Sequence, residues 1–156
     1  MNVWVDGDSM PKDVRAIILR REGRLLSDGS QISVRFVSAR IIPDVPKNLT
    51  LLVEAGENSA DSYIEMAMQQ GDLVITRDIP FAERVVSKEI QCMNDRGDIF
   101  TRETIAERRS IRDVSAEMRL TGIVRESPKG NSRTAGDTKR FADSFDRILV
   151  GLSRKL

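Results

Sequence analysis

Two rhythms of apolar and polar positions alternate along this chain. Asn2 to Asp6 alternates with a period of two and is rich in β-formers, which predicts a short strand stopping at acidic residues. From Lys12 to about residue 22, Val14, Ile17, Ile18 and Arg21 follow helical spacing. Pro11 stands at the start of that helix, Asp8 or Ser9 can cap it, and Gly23 can end it. Residues 31–37 read as a second strand, and Pro43 and Pro46 mark a connection. The unbroken apolar run over 49–53 predicts a strand buried on both faces. A turn at 56–59 leads into a helix over about 60–70, with Ala60, Tyr63, Ile64, Ala67 and Met68 on one face and Gly71 at its end.

The same alternation continues through the second half. Asp72-Leu73-Val74-Ile75-Thr76 is the clearest buried strand, and Arg77-Asp78-Ile79-Pro80 follows at once, with Pro80 opening a helix to about Lys88. A short strand is expected over 90–93, and a long helix from a Thr101 cap to about Leu120. Residues 121–136, rich in Gly, Ser, Pro and basic side chains, read as a mobile loop. A last helix over about 137–152 carries Phe141, Phe145, Ile148 and Leu149 inward. Strand–helix alternation of this kind predicts an α/β fold in three layers, a mainly parallel central sheet flanked by helices. No repeat and no internal boundary divides the sequence, so residues 1–156 are expected to form a single domain.

Composition narrows the chemistry more than the fold. The chain has no histidine, which removes Ser-His-Asp and Cys-His catalysis and the usual Cys/His zinc site. One cysteine, Cys92, cannot form an internal disulfide; it falls in an expected buried strand and reads as core. With 25 basic and 24 acidic side chains the net charge is +1, so binding to a polyanion would have to rest on local patches. The amino terminus reads as a strand rather than a signal peptide, and no apolar run is long enough to span a bilayer. A cytoplasmic protein with no membrane partner is therefore expected. What remains plentiful is carboxylate, the ligand type of magnesium, manganese and calcium.

In open α/β sheets, sites form beyond the carboxyl ends of the strands. Asp6 and Asp8 follow the first strand, Asp78 follows the strand ending at Thr76, and Asp61 lies in the first turn of a helix entered from Val53. Three of them have an ordinary alternative use: Asp78 and Asp8 as helix caps, Asp61 as a complement to a helix dipole. Capping does not explain why all four share one edge. Two carboxylates about 4 Å apart repel by about 1 kcal/mol in water and about 4 kcal/mol at an effective dielectric of 20. A cluster would have to be relieved by a proton or a cation.

At these same residues the chain resembles a known family. Val5-Asp6-Gly7-Asp8-Ser9-Met10-Pro11, Ser59-Ala60-Asp61-Ser62-Tyr63-Ile64 and the run from Gly71 to Ala82 are similar to segments of the YaiI/YqxD family, uncharacterised bacterial proteins with a PIN-like domain. Asn94-Asp95-Arg96-Gly97 and the stretch from Arg140 to Arg147 fit it as well. That family usually begins Asp-Ala-Asp-Ala-Cys-Pro. Gly7, Ser9 and Met10 depart from the pattern, while both acidic positions are kept. The broader PIN group often adds a helical glutamate; the resemblance assigns no counterpart here, and Asp8 is the candidate substitute.

The resemblance implies a PIN-like fold and a nuclease using Mg²⁺ or Mn²⁺, acting on RNA ahead of DNA. Asp6, Asp61 and Asp78 would be its catalytic residues and, with Asp8, its metal ligands. The basic residues that would meet a phosphate backbone are Lys12, Arg77, Arg84 and Arg96 around the edge, and Arg125, Lys129 and Arg133 on the loop; each also reads as ordinary surface charge. Trp4, Tyr63 and the phenylalanines sit in apolar patterns and read as core. Two other readings stay open: a module that binds nucleotide or RNA without cleaving it, and a structural protein whose aspartates only cap helices.

Overall fold

The computed structural model describes residues 1–56, 59–120 and 132–155; for 112, 114–120 and 153–155 only the helical backbone is described. Five parallel strands form one sheet: β1 (Asn2–Asp6), β2 (Ser33–Ser38), β3 (Thr50–Leu52), β4 (Leu73–Ile75) and β5 (Gln91–Met93), in the spatial order β3-β2-β1-β4-β5. Among the described residues five α-helices cover it: α1 (Lys12–Leu19), α2 (Ser59–Ala67), α3 (Ile79–Ser87), α4 (Arg102–Leu120) and α5 (Ala135–Lys155).

Successive strand residues point to opposite faces, so each central strand feeds two cores. Val3 and Val5 of β1, with Leu73 and Ile75 of β4, pack under α1 and α5 against Val14, Ile18, Phe141 and Phe145. Trp4 and Val74 point the other way, to Ile64 of α2, Phe81 and Val85 of α3, and Ile105 of α4. This is the three-layer α/β arrangement expected from the sequence. Cys92 lies in the second core, fully buried, and burial pushes its thiol far above the ordinary range. Trp4 is buried too, edge-on to a partly exposed Tyr63.

Three local expectations are corrected. The apolar run at 49–53 does form a strand, but β3 is the sheet's edge rather than a doubly covered strand, and Leu52 is 58% exposed. An unbroken apolar run does not reveal which strand lacks a second neighbour. Neither Asp8 nor Ser9 caps α1. Residues Gly7–Ser9 make a 3-10 turn, and Pro11 is the N-cap residue, with no side-chain cap bond. Finally, the last helix starts at Ala135, earlier than its apolar stripe suggests. Thr134 Oγ1 accepts from the Asp137 N–H while the Asp137 carboxylate accepts from the Thr134 N–H, a reciprocal cap.

The topology creates one special edge. From β1 the chain moves through α1 to β2 and then β3, and α2 carries it back across the sheet to β4 on the other side of β1. Progress through the sheet therefore reverses between β1 and β4. The crevice outside the carboxyl ends of such a strand pair is where open α/β sheets place ligands.

Candidate functional site

Three aspartates border that crevice, each delivered by a different element. Asp6 is the last residue of β1. Asp78 is the N-cap of α3, its Oδ1 accepting from the Phe81 N–H at 3.1 Å, with Pro80 in the first turn. Asp61 is in the first turn of α2 and only 6% exposed. Thr76, fully buried one step beyond the Val5–Ile75 pair, joins two of them. Its hydroxyl donates to Asp6 Oδ2 at 3.3 Å and accepts from the Asp78 N–H at 3.1 Å.

The electrostatics are those of crowded like charge. Burial raises the pKa of Asp6; the Thr76 hydroxyl opposes the rise, and the charges of Asp8 and Asp78 add to it. Burial also raises that of Asp61, to about 6, helped by the charges of Asp6 and Asp78 and by a hydrogen bond shared with the Asp78 carboxyl. The one opposing charge is the Arg84 guanidinium, whose Nη2 stands 4.0 Å from Asp61 Oδ2. Arg84 gives its closer bond, 3.1 Å, to Glu65.

Asp8 is turned away. It is exposed, its Oδ2 accepts from the Ala39 N–H at 3.0 Å, and its Oδ1 is 3.8 Å from Arg40 Nε, so it ties the first turn to the end of β2. Among the described residues no three Cys, Asp or Glu side chains are grouped closely enough to hold an ion as they stand. In kind, though, these are oxygen donors of the type a hard divalent cation takes, and such an ion would relieve the repulsion among the three carboxylates.

The expected cations divide. Arg77, exposed, donates to the Ser9 carbonyl at 3.3 Å, and its Nε lies 3.6 Å from Asp95. Arg96 and Arg77 line a common cavity. Lys12 is exposed at the start of α1 and acts on Asp44. Arg125 and Lys129 lie outside the described residues. Arg133 is engaged within the protein: it donates to Asp13 Oδ2 and to the Asp95 carbonyl, both at 2.7 Å, and so pins the entry of α5 to α1 and to the turn after β5. Asp13 is the better acid for this, its pKa lowered by Thr138 and Arg133 against the effect of burial.

Sequence reasoning did not single out Thr76, Asn94, Asp95 or Arg108 for the site. Thr76 carried a signal, a polar residue closing the most apolar strand. Asn94 carried one too, as the first residue of an Asn-Asp-Arg-Gly turn. Its Oδ1 accepts from the N–H groups of Arg96 and Asp98, both at 2.9 Å.

Fold and edge together define a parallel α/β protein with an acidic crevice at its topological switch point. Within that class the chain belongs to the family described as "Uncharacterized BCR, YaiI/YqxD family", whose pattern matches residues 4–151. A UPF0178 protein of Vibrio campbellii is 39% identical over 153 residues, covering 96% of this chain and 99% of that relative. Those of Treponema pallidum and Desulfotalea psychrophila are also 39% identical, over 156 and 155 residues. They cover 99% and 97% of this chain, and 84% and 99% of the respective relatives. No solved structure matches. Among the described residues no helix is long and apolar enough to cross a membrane.

Proposed function

We propose that this protein is a PIN-like, metal-dependent phosphodiesterase acting on a nucleic-acid strand, RNA ahead of DNA, with Mg²⁺ or Mn²⁺ held by Asp6, Asp61 and Asp78. The observation that carries the reading is the trio itself. Three segments far apart in sequence deliver carboxylates to one crevice, where burial and mutual repulsion raise the pKa values of Asp6 and Asp61. A bound divalent ion would lower the pKa of a water and offset charge on the phosphate.

The chain's own residues would supply position. Thr76 holds the Asp6 carboxylate and the Asp78 backbone in one register. The α3 cap fixes one Asp78 oxygen. Arg84, beside Asp61, supplies a positive charge at the rim. No histidine base is required, in keeping with the composition.

A second reading, aspartates as helix caps only, is favoured by the bond that the Phe81 N–H donates to Asp78. Thermal melting in EDTA, Mg²⁺ or Mn²⁺ separates the two. On the phosphodiesterase reading, metal raises the wild-type midpoint, while Asp6→Asn/Asp78→Asn ignores metal and is already more stable than wild type in EDTA. On the cap reading, metal does nothing and the double variant loses stability. If metal binds and no strand is cut, a non-catalytic binding module remains, and Asp78→Asn should then leave nucleic-acid affinity intact.

A further inference from the structure

One strand over from the acidic crevice lies a cavity of about 280 Å³, lined by Arg77, Asn94, Asp95, Arg96, Asp98 and Arg108, with Phe100 behind them. It opens at the carboxyl end of β5, whose Met93 pairs with Ile75 of β4. Neighbouring strands are about 4.8 Å apart, so the cavity is the next station along the edge that carries Asp78. Three guanidinium groups face two carboxylates there, and both carboxylates are already engaged. Asp95 accepts from Arg133 at 3.3 Å. Asp98 accepts from the Asn94 amide at 3.1 Å and from Arg108.

The arginines are held rather than loose. Arg108 lies over the Phe100 ring, 5.3 Å from its centroid, and spends one N–H on Asp98. Arg77 is steadied by the Ser9 carbonyl. A guanidinium carries five N–H donors in a planar fork. Arg77 Nε also lies 3.6 Å from Asp95 Oδ1, which leaves Arg77 Nη2 and, on Arg108, Nε and Nη1 as the donors with no hydrogen bond to protein among the described residues. Planar guanidinium donors with a surplus of positive charge are what a tetrahedral oxyanion selects, and what a metal or an apolar ligand would avoid.

We propose that this cavity is a phosphate-binding subsite, and that it takes a phosphate of the strand next to the one lying over the aspartate trio. The naming of that strand rests on the proposed phosphodiesterase activity; the phosphate chemistry rests on the cavity alone. An anionic strand approaching three carboxylates needs compensating charge within a nucleotide's reach. Arg77, adjacent in sequence to Asp78, begins the surface that supplies it.

The test uses fluorescence anisotropy with 3′-labelled hexauridylate bearing either a 5′-phosphate or a 5′-hydroxyl, in EDTA at low salt, so that no metal at the trio is required. The wild type is expected to bind. Arg77→Gln/Arg108→Gln is expected to lose at least tenfold in affinity, with a shallower salt dependence, by about 0.7 in the log–log slope for one phosphate contact removed. Arg77→Gln alone, which leaves the Arg108–Asp98 pair intact, should lose several-fold; it keeps the test meaningful if the double variant folds poorly. Tighter binding of the 5′-phosphorylated strand assigns the cavity to a terminal phosphate, and equal binding to an internal one. A wild type that binds neither strand, or variants that bind as well as wild type, would overturn the proposal. Melting of the same variants with Mg²⁺ keeps the two readings apart. A metal response without strand binding removes the subsite only, and strand binding without a metal response removes only the phosphodiesterase reading.

Discussion

The two ends of the β1–β4 pair use the same residue type in opposite ways. At the amino end Asp72 is 5% exposed and accepts three N–H donors: the Asn2 backbone at 3.0 Å, the Trp4 indole at 3.1 Å and the Gln69 backbone at 3.0 Å. At the carboxyl end Asp6, Asp61 and Asp78 share, among the described residues, one hydroxyl donor, one backbone N–H and a guanidinium at 4.0 Å. Burial is comparable for Asp61 and Asp72, so burial is not what separates them. The difference is satisfaction: one end is a completed joint, while the other keeps charge that the protein itself does not neutralise. Structural joints rarely leave that charge unspent, because it costs stability whenever nothing is bound.

The largest effect should come from the completed end. Asp72→Ala strands three buried or half-buried donors and is expected to cost about 3–5 kcal/mol in urea unfolding followed by circular dichroism. A loss below about 1 kcal/mol would mean that the joint is not what holds the strands together.

Asp61→Asn should move stability the other way. With a folded pKa of about 6 against an ordinary value of 3.8, Asp61 binds a proton more readily in the folded chain. Its contribution is therefore favourable at low pH and is lost as pH rises from about 4 to about 6, by on the order of 2–3 kcal/mol. Other carboxyls, Asp13 and Asp98 among them, have lowered values and slope oppositely. The quantity to measure is the difference between wild type and Asp61→Asn in EDTA. The variant should gain on wild type through that window and stay ahead above it, and a flat difference would mean that the Asp61 charge costs the folded chain nothing.

Smaller effects should follow. Thr76→Val removes a donor to Asp6 and an acceptor for the Asp78 N–H in a fully buried position, and is expected to cost about 1–2 kcal/mol. Thr76→Ser should restore most of it. Asp8→Asn, at an exposed side chain facing Ala39 and Arg40, should change stability by less than about 0.5 kcal/mol and leave the titration of Asp61 where it was. A shift of that titration in Asp8→Asn would bring Asp8 back into the trio.

Much of this architecture was legible in the chain. β4 and α5 announce themselves, because a strand covered on both faces and a helix with a strong apolar stripe each bury a pattern that has one reading. The meeting of Asp6, Asp61 and Asp78 followed from topology, since α/β crossovers return every strand's end to one edge. What stayed hidden depends on partners far away in sequence. Nothing near residue 49 marks β3 as an edge strand. Nothing near Arg133 announces that Asp13, 120 residues earlier, will take its charge. The arginine cavity combines Arg108 from α4 with a turn after β5, a pairing that no local spacing encodes.

The bond between Trp4 and Asp72 has a further consequence, for how the molecule assembles and how that can be watched. β1 leaves first in the chain yet sits mid-sheet, and its second neighbour arrives some seventy residues later. Closing that joint is a long-range event, slow compared with winding any of the helices. The chain's sole tryptophan is the group whose N–H is captured when the joint closes. Its emission is thus a clock placed on one step, and the delay between helix formation and the tryptophan signal would time the joining of the two halves of the sheet.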